Sequence, residues 1–244
     1  MKTLNQLHKF IATAIVITSL APTTFTHAGV VVTGTRIIFE SGQTEKTVRL
    51  NNKDQHPNLV QIWSDRGDEH LTAEQADGPF MANPPIFKMQ ANQAQVVRLN
   101  FIQDSAALPQ DRESMFFLNI NEIPAMKTDH LDANRLVVSF TNRLKILYRP
   151  KGLAGQPNQV AEQISYQVKN NQITLNNPTS YYAHIAEIKL LKNGQIVQQD
   201  KSLVVPPKNQ LNWSVKSAPN SNTEVQAVFI NDYGSRVLTT LKQN

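Results

Sequence analysis

Short segments in which apolar and polar residues alternate fill most of the chain, with clusters of Asn, Asp, Gly and Pro between them. Because successive side chains of a β-strand point to opposite faces, this alternation predicts strands that each bury one face. No segment repeats its apolar residues at the helical spacing of roughly 3.6. The strands predicted in this way include Val30–Phe39, Thr47–Leu50, Leu59–Trp63, Val96–Phe101, Met115–Ile120, Leu136–Leu147, Gln172–Leu175, Ala183–Leu191, Gln195–Gln198, Gln210–Val215 and Val225–Ile230.

The N-terminus has the pattern of a secretion signal. Lys2 and Lys9 precede the apolar run Phe10–Leu20, which is shorter than the roughly 20 residues that a membrane-spanning helix needs. Small residues around Thr26–Ala28 suit a signal peptidase, so we expect cleavage after Ala28 and export of the mature protein. No later segment is apolar enough to predict membrane insertion.

The remaining length fits two β-sandwich domains. The 244 residues minus 28 leave 216, which accommodates two sandwiches of roughly 100 residues each. The long segment that ends at Pro150 is followed by two glycines, Gly152 and Gly155, which is typical of a boundary between domains. We therefore predict an all-β fold with a first domain at Gly29–Pro150 and a second at Lys151–Asn244.

Composition excludes several classes of function. The chain has no cysteine, which rules out disulfides, thiol catalysis and cysteine-based zinc sites. Two of its 24 basic residues lie in the signal, so the mature net charge is 22 − 19 = +3, and the basic residues are scattered. This distribution does not favour binding to nucleic acid or to a membrane surface.

No catalytic or cofactor motif stands out, and we expect neither enzymatic activity nor a cofactor. Sequences typical of a nucleophile elbow, a phosphate-binding glycine loop or a zinc protease are absent. The densest group of candidate metal ligands comprises Asp65, Asp68, Glu69 and His70. Its spacing fits no metal motif and Gly67 marks a turn, so we interpret it as a solvated turn with no metal site.

The segment Leu136–Lys145 carries two different faces. Leu136, Val138 and Phe140 alternate with polar residues, and Lys145 lies on the polar row. Taken alone, this pattern indicates an ordinary core face, and Arg36 and Lys145 would be surface cations.

Two longer stretches change that interpretation. Leu108–Pro124 (LPQDRESMFFLNINEIP) and Leu136–Pro150 (LVVSFTNRLKILYRP) resemble the periplasmic pilus (fimbrial) assembly chaperones of the chaperone–usher pathway. Further segments match the same family in the same order, so the resemblance covers essentially the whole mature chain. They are Gly34–Arg36, Gln61–Trp63, Asn83–Pro85, Asn177–Tyr182 and Ile230–Gly234.

The resemblance implies both a fold and a function. It implies two immunoglobulin-like β-sandwich domains in a bent, boomerang-like arrangement, located in the periplasm. It implies a chaperone that stabilises pilus subunits by donor-strand complementation, a known form of β-augmentation, and delivers them to an outer-membrane usher without ATP. The expected partners are pilus subunits and the usher, and the chaperone is expected to be a monomer when it is bound to a subunit.

The resemblance also assigns roles to residues. Arg36 and Lys145 would anchor the terminal carboxylate of the subunit, and Leu136, Val138 and Phe140 would be the donated side chains. Three further residues would form an ionic cluster between the domains: Glu113, Arg149 and Asp232.

Two departures from the family pattern refine the comparison. The short connection from Pro124 to Leu136 and the absence of cysteines indicate the short-loop branch of the family. Asn83 precedes the double proline where threonine is more usual, and the sequence leaves open whether the Asn83–Pro84 bond is cis. A secreted adhesin, a pilus subunit or a periplasmic hydrolase are the alternatives. The chain has enough strands for two domains, whereas a pilus subunit would have one incomplete sandwich. No arrangement of reactive side chains supports a hydrolase.

Overall fold

The computed structural model describes residues 29–125, 138–169, 172–216, 219 and 222–244. Within these ranges the chain consists mainly of β-strands. It adds one short helix, α1 (Val160–Gln163), and single 3-10 turns at Ala73–Gln75, Ser105–Ala107 and Pro157–Gln159. None of the helical segments in these ranges is long and apolar enough to cross a membrane.

The first half of the chain folds into two packed sheets. One sheet has the strand order β1-β3-β7-β5, and the other has the order β2-β9-β8-β4-β6. The strands are β1 (Val30–Val32), β2 (Arg36–Glu40), β3 (Glu45–Asn52), β4 (Asn58–Asp65), β5 (Phe80–Asn83), β6 (Ile86–Met89), β7 (Ala94–Phe101), β8 (Ser114–Pro124) and β9 (Phe140–Arg149).

Alternate residues of both sheets meet in a single apolar core. Leu50, Leu99 and Ile146 are fully buried there, and burial of each such side chain stabilises the fold by roughly 1.5–3 kcal/mol. Aromatic rings fill one end of this core, where the ring centroids of Phe39 and Phe80 lie 5.1 Å apart and those of Phe101 and Tyr148 lie 4.7 Å apart.

The second half forms another sandwich. Its sheets have the orders β14-β11-β10-β17 and β13-β12-β15-β16. A separate apolar core, which includes Ile173, Ile188 and Val225, lies between them. The strands are β10 (Ser165–Lys169), β11 (Gln172–Asn177), β12 (Ala183–Lys192), β13 (Gln195–Val205), β14 (Asn209–Ser214), β15 (Thr223–Ile230), β16 (Arg236–Thr240) and β17 (Lys242–Gln243).

This architecture confirms the all-β prediction and the two sandwiches. The predicted strand Val30–Phe39 is interrupted at Thr33–Thr35, where Gly34 has a φ of 101° that suits glycine. The alternation did not predict β5, β6, β10, β16 and β17, because short or exposed strands contain few apolar residues in series.

Two details of the first domain were not settled by the sequence. The Asn83–Pro84 peptide bond is cis. The interpretation of Asp65 as part of a solvated turn is wrong, because its carboxylate is fully buried and accepts hydrogen bonds from Asn119 Nδ2, Arg143 Nη2 and the Gly67 backbone N–H. Its sequence neighbours Asp68, Glu69 and His70 are exposed, as expected of a turn.

Candidate functional site

Strand β9 is paired along nearly its whole length on one edge and along only half of it on the other. Strand β8 pairs with Phe140–Tyr148, whereas β2 pairs in parallel only with Lys145–Arg149. Among the described residues no strand pairs with the second edge of Phe140–Leu144. The contact there is a hydrogen bond from the Asn142 side-chain Nδ2 to the Val30 carbonyl (3.3 Å). An unpaired strand edge is a template for pairing with another chain.

The apolar side chains beside this open edge are exposed. Val138 is 47 % exposed and Phe140 is 61 % exposed, whereas Leu144 and Ile146, on the same face of the strand, lie in the core. A groove runs between Val30–Val32 and Phe140–Leu144. Leu136, the third residue of the expected donor row, lies outside the described residues, as does the short connection before it.

The outward face of β9 carries three basic residues, and their partners differ. Arg143 pairs with the buried Asp65 and stacks over the Phe117 ring at 3.8 Å. Arg149 pairs with Glu113 and Asp232. Within the described part of the chain Lys145 has no carboxylate partner, and the charges that act on it are those of Arg36 and Arg143.

Arg36 and Lys145 are direct neighbours on parallel strands. They are register partners in the β2–β9 ladder, so their backbones lie about 4.8 Å apart. Burial lowers the pKa of both side chains, and the charge of Arg36 lowers the pKa of Lys145 further. Arg36 Nη1 donates to the Ile230 carbonyl (3.2 Å), but its buried Nε has no hydrogen-bond partner in the described structure. Two partly desolvated cations side by side favour the binding of an anion.

The structure also brings together Glu113, Arg149 and Asp232, which are distant in sequence. Arg149 Nε donates to Glu113 Oε1 (2.8 Å), and Arg149 Nη1 lies 2.9 Å from Asp232 Oδ2. The second oxygen of Glu113 accepts the backbone N–H of Tyr182 (2.8 Å). Burial raises the pKa of Glu113, and Arg149 and the Tyr182 N–H only partly offset that effect. These contacts join the residue before β8 and the last residue of β9 to the second sandwich.

One residue near the two cations had no signal in the sequence. His184 on β12 is buried, and both its ring nitrogens lack a hydrogen-bond partner among the described residues. An isolated histidine in an apolar strand predicts nothing by itself, and only the packing of the two sandwiches brings it close to Arg36. In the described residues no group of three or more histidine, aspartate or glutamate side chains is placed to hold a metal ion.

Comparison with known proteins matches both sandwiches to one family. The family model for the N-terminal domain of PapD, a pili and flagellar-assembly chaperone, matches residues 29–154. The model for the C-terminal domain of the pili assembly chaperone PapD matches residues 159–241.

Individual relatives agree with these matches. The chaperone protein FimB/FhaD of Bordetella pertussis is 36% identical over 184 residues, which cover 74% of this chain and 75% of the relative. The probable fimbrial chaperone YadV of Escherichia coli K12 is 32% identical over 233 residues, covering 91% of this chain and 92% of the relative.

Solved structures show the same fold. A crystal structure of the YadV chaperone superposes with a TM-score of 0.72 at 29% identity, covering 88% of this chain and 100% of that one. The chain therefore belongs to the PapD family of pilus assembly chaperones.

Proposed function

We propose that this protein binds pilus subunits in the periplasm by donor-strand complementation and delivers them to an outer-membrane usher without ATP. The observation that carries the proposal is the open edge of Phe140–Leu144, which ends at the adjacent cations Arg36 and Lys145. Lys145 has no carboxylate partner in the described structure, and burial outweighs the effect of Asp232 and Glu113 on the pKa of Arg36. The binding is a physical association and requires no catalytic group.

The open edge supports strand donation. Backbone groups of Phe140–Leu144 are available to pair with a subunit strand, while Leu136, Val138 and Phe140 would enter the groove of an incomplete subunit. Full burial of each side chain is worth roughly 1.5–3 kcal/mol. Val138 and Phe140 are exposed in the free protein, so that gain remains available for binding.

The two cations fix the register of the bound strand. A terminal carboxylate held by Arg36 and Lys145 accepts charge-assisted hydrogen bonds and relieves the repulsion between the two side chains. Lys145 lies five residues beyond Phe140 along β9, a distance of roughly 16 Å at about 3.3 Å per residue. A fixed end point matters because a shift of one residue turns every donated side chain to the opposite face.

The cluster of Glu113, Arg149 and Asp232 acts in this proposal as a structural lock between the domains, which we place at Gly29–Pro150 and Lys151–Asn244. The bidentate guanidinium of Arg149 contacts carboxylates from both halves of the chain. Buried ion pairs add little net stability but define geometry when they are complete. The lock therefore holds the two domains in a fixed relation to each other.

Export with cleavage after Ala28 is part of the same proposal. The carboxylate of Glu122 accepts the backbone N–H of Val30, so the α-ammonium of a chain that begins at Gly29 would lie beside a negative charge. Mass spectrometry of the protein purified from the periplasm should give a mature N-terminus at Gly29. A different first residue would reject this cleavage site.

Co-expression with candidate pilus subunits tests the binding function. The wild-type protein should co-purify with a subunit from the periplasm as a complex of one chaperone and one subunit. Lys145→Ala and Arg36→Ala should remain folded but lose the complex, since removal of one partner from a desolvated charge pair costs about 2–5 kcal/mol. Lys88→Ala, which removes an exposed cation on β6, is the matched control and should bind normally. Undiminished co-purification with the Lys145 and Arg36 variants would reject the anchor.

A further inference from the structure

His184 is a buried polar side chain with no partner in the described structure. It is 5 % exposed, and neither Nδ1 nor Nε2 makes a hydrogen bond there. Buried polar groups in folded proteins are nearly always paired, and leaving one unpaired costs about 1–3 kcal/mol. The unpaired ring of His184 is therefore suited to accept a polar partner that the described residues do not supply.

The surroundings of His184 contain the cations of the first domain. The imidazole stacks on Tyr182, with ring centroids 6.1 Å apart and an angle of 23° between the planes. Arg36 extends from β2 to the Ile230 carbonyl at the end of β15, the strand that pairs with β12. Arg36, Ile230 and His184 line one small cavity of about 30 Å³.

The charges around His184 are unevenly distributed. Burial and the positive charges of Arg36 and Lys145 lower the pKa of His184 to about 3, so the ring is neutral at pH 7 and carries one N–H donor. The carboxylates on the cavity wall, Glu113 and Asp232, are bound to Arg149, and their charges also act on Arg36. Nε of Arg36 is also buried and unpartnered among the described residues. Residues from both domains whose polar atoms lack a partner in the described structure thus line the same cavity.

We propose that His184 is a third binding residue of the carboxylate anchor and donates its ring N–H to the terminal carboxylate of a bound subunit, beside Arg36 and Lys145. This inference rests on the proposed function. It makes the anchor a site shared by both domains, so that the ionic cluster of Glu113, Arg149 and Asp232 also sets the distance between its two sides. The ligand class is the free α-carboxylate of an extended chain.

The test uses a subunit that the wild-type protein captures and the peptide of its last residues, prepared as free acid and as C-terminal amide. Binding of both peptides is measured for the wild type, His184→Phe and Lys145→Ala. Phe retains an aromatic ring against Tyr182 but has no N–H donor. A hydrogen bond to a charged group is worth about 1.5–3 kcal/mol, so we expect His184→Phe to reduce the preference for the free acid by about tenfold or more.

Two controls separate a binding role from a structural one. Thermal unfolding at pH 7 should show that His184→Phe is folded. A packing defect in this variant would weaken the binding of the acid and of the amide equally, whereas loss of the N–H donor would weaken only the binding of the acid. His184→Asn, which keeps an N–H donor, should recover part of the preference for the acid. An unchanged preference in His184→Phe, together with a lost preference in Lys145→Ala, would overturn the role of His184 and leave the proposed function intact. Failure of the wild type to bind any subunit would overturn both.

Discussion

Apolar and polar residues alternate in both halves of β9, but the apolar side chains of the two halves differ in burial. Leu144, Ile146 and Tyr148 are buried in the first sandwich, whereas Phe140 on the same face is 61 % exposed. The difference follows the neighbouring strand, since β2 covers the second edge only from Lys145 onward. A regular apolar row therefore serves as core from Leu144 onward, next to and along β2, and as a free surface at Phe140, further from β2 on the open edge.

The outward face of β9 shows a similar contrast. Arg143 and Arg149 are each matched by buried or partly buried carboxylates. Among the described residues, the only charges that act on Lys145 between them are those of the cations Arg36 and Arg143. The matched arginines organise the protein itself. The unmatched lysine and the open edge are both suited to contact a bound partner. The following predictions test this contrast.

The largest effect is expected from placing an aspartate on each half of the same row. Ile146→Asp buries a charge in the core and should cost more than about 4 kcal/mol, enough to prevent stable folding of a marginally stable domain. Val138→Asp should change the stability of the free protein by less than about 0.5 kcal/mol yet abolish subunit capture. Thermal unfolding and co-purification measure the two properties. A large decrease in the thermal midpoint of Val138→Asp would place Val138 in the protein's own core.

Removal of the interdomain arginine should have the next largest effect. Arg149→Met leaves Glu113 buried and without its cation, which costs about 3–5 kcal/mol when a buried pair is broken. The double variant Arg149→Met with Glu113→Gln should regain part of that loss, because no unpaired charge remains. The shift of the thermal midpoint reports both values. Equal midpoints for wild type and Arg149→Met would contradict the proposed lock.

His184 should make the folded protein sensitive to acid. Its pKa falls from 6.5 to about 3 on folding, so only the unfolded chain is protonated between these values. Above pH 6.5 the His184 ring is neutral in the folded and the unfolded protein, and it gives the stability no pH dependence. As the pH falls below 6.5, the unfolded chain takes up a proton that the folded protein does not, so the free energy of unfolding decreases. The decrease is roughly 2 kcal/mol between pH 7 and pH 5. Unfolding of wild type and His184→Phe at both pH values isolates this contribution. Parallel losses in the two proteins would show that His184 does not titrate in this way.

The smallest effect is expected from truncating Phe140. Phe140→Ala removes an exposed ring and should cost the free protein less than about 1 kcal/mol, whereas Leu144→Ala in the core should cost about 2–5 kcal/mol. Denaturant unfolding of both variants gives the comparison. Subunit binding should rank them in the opposite order. A larger loss of stability for Phe140→Ala would mean that the ring packs within the chaperone itself.

The sequence by itself determined the class of fold and much of the candidate site. Alternation of apolar residues predicted most long strands, because burial of one face imposes a period of two. The family resemblance identified Arg36 with Lys145 and the set of Glu113, Arg149 and Asp232, and the structure places the members of each set together. The donor and anchor roles stay predictions.

Only the tertiary structure decided which half of β9 is open, that Asp65 is buried against Arg143, and that His184 lies near two cations without a partner in the described residues. Each depends on contacts between residues far apart in the chain. Local pattern records which side chains share a face of a strand, but neighbouring strands and domains decide whether that face is covered. Charge behaves in the same way, because pairing and desolvation follow from the completed fold.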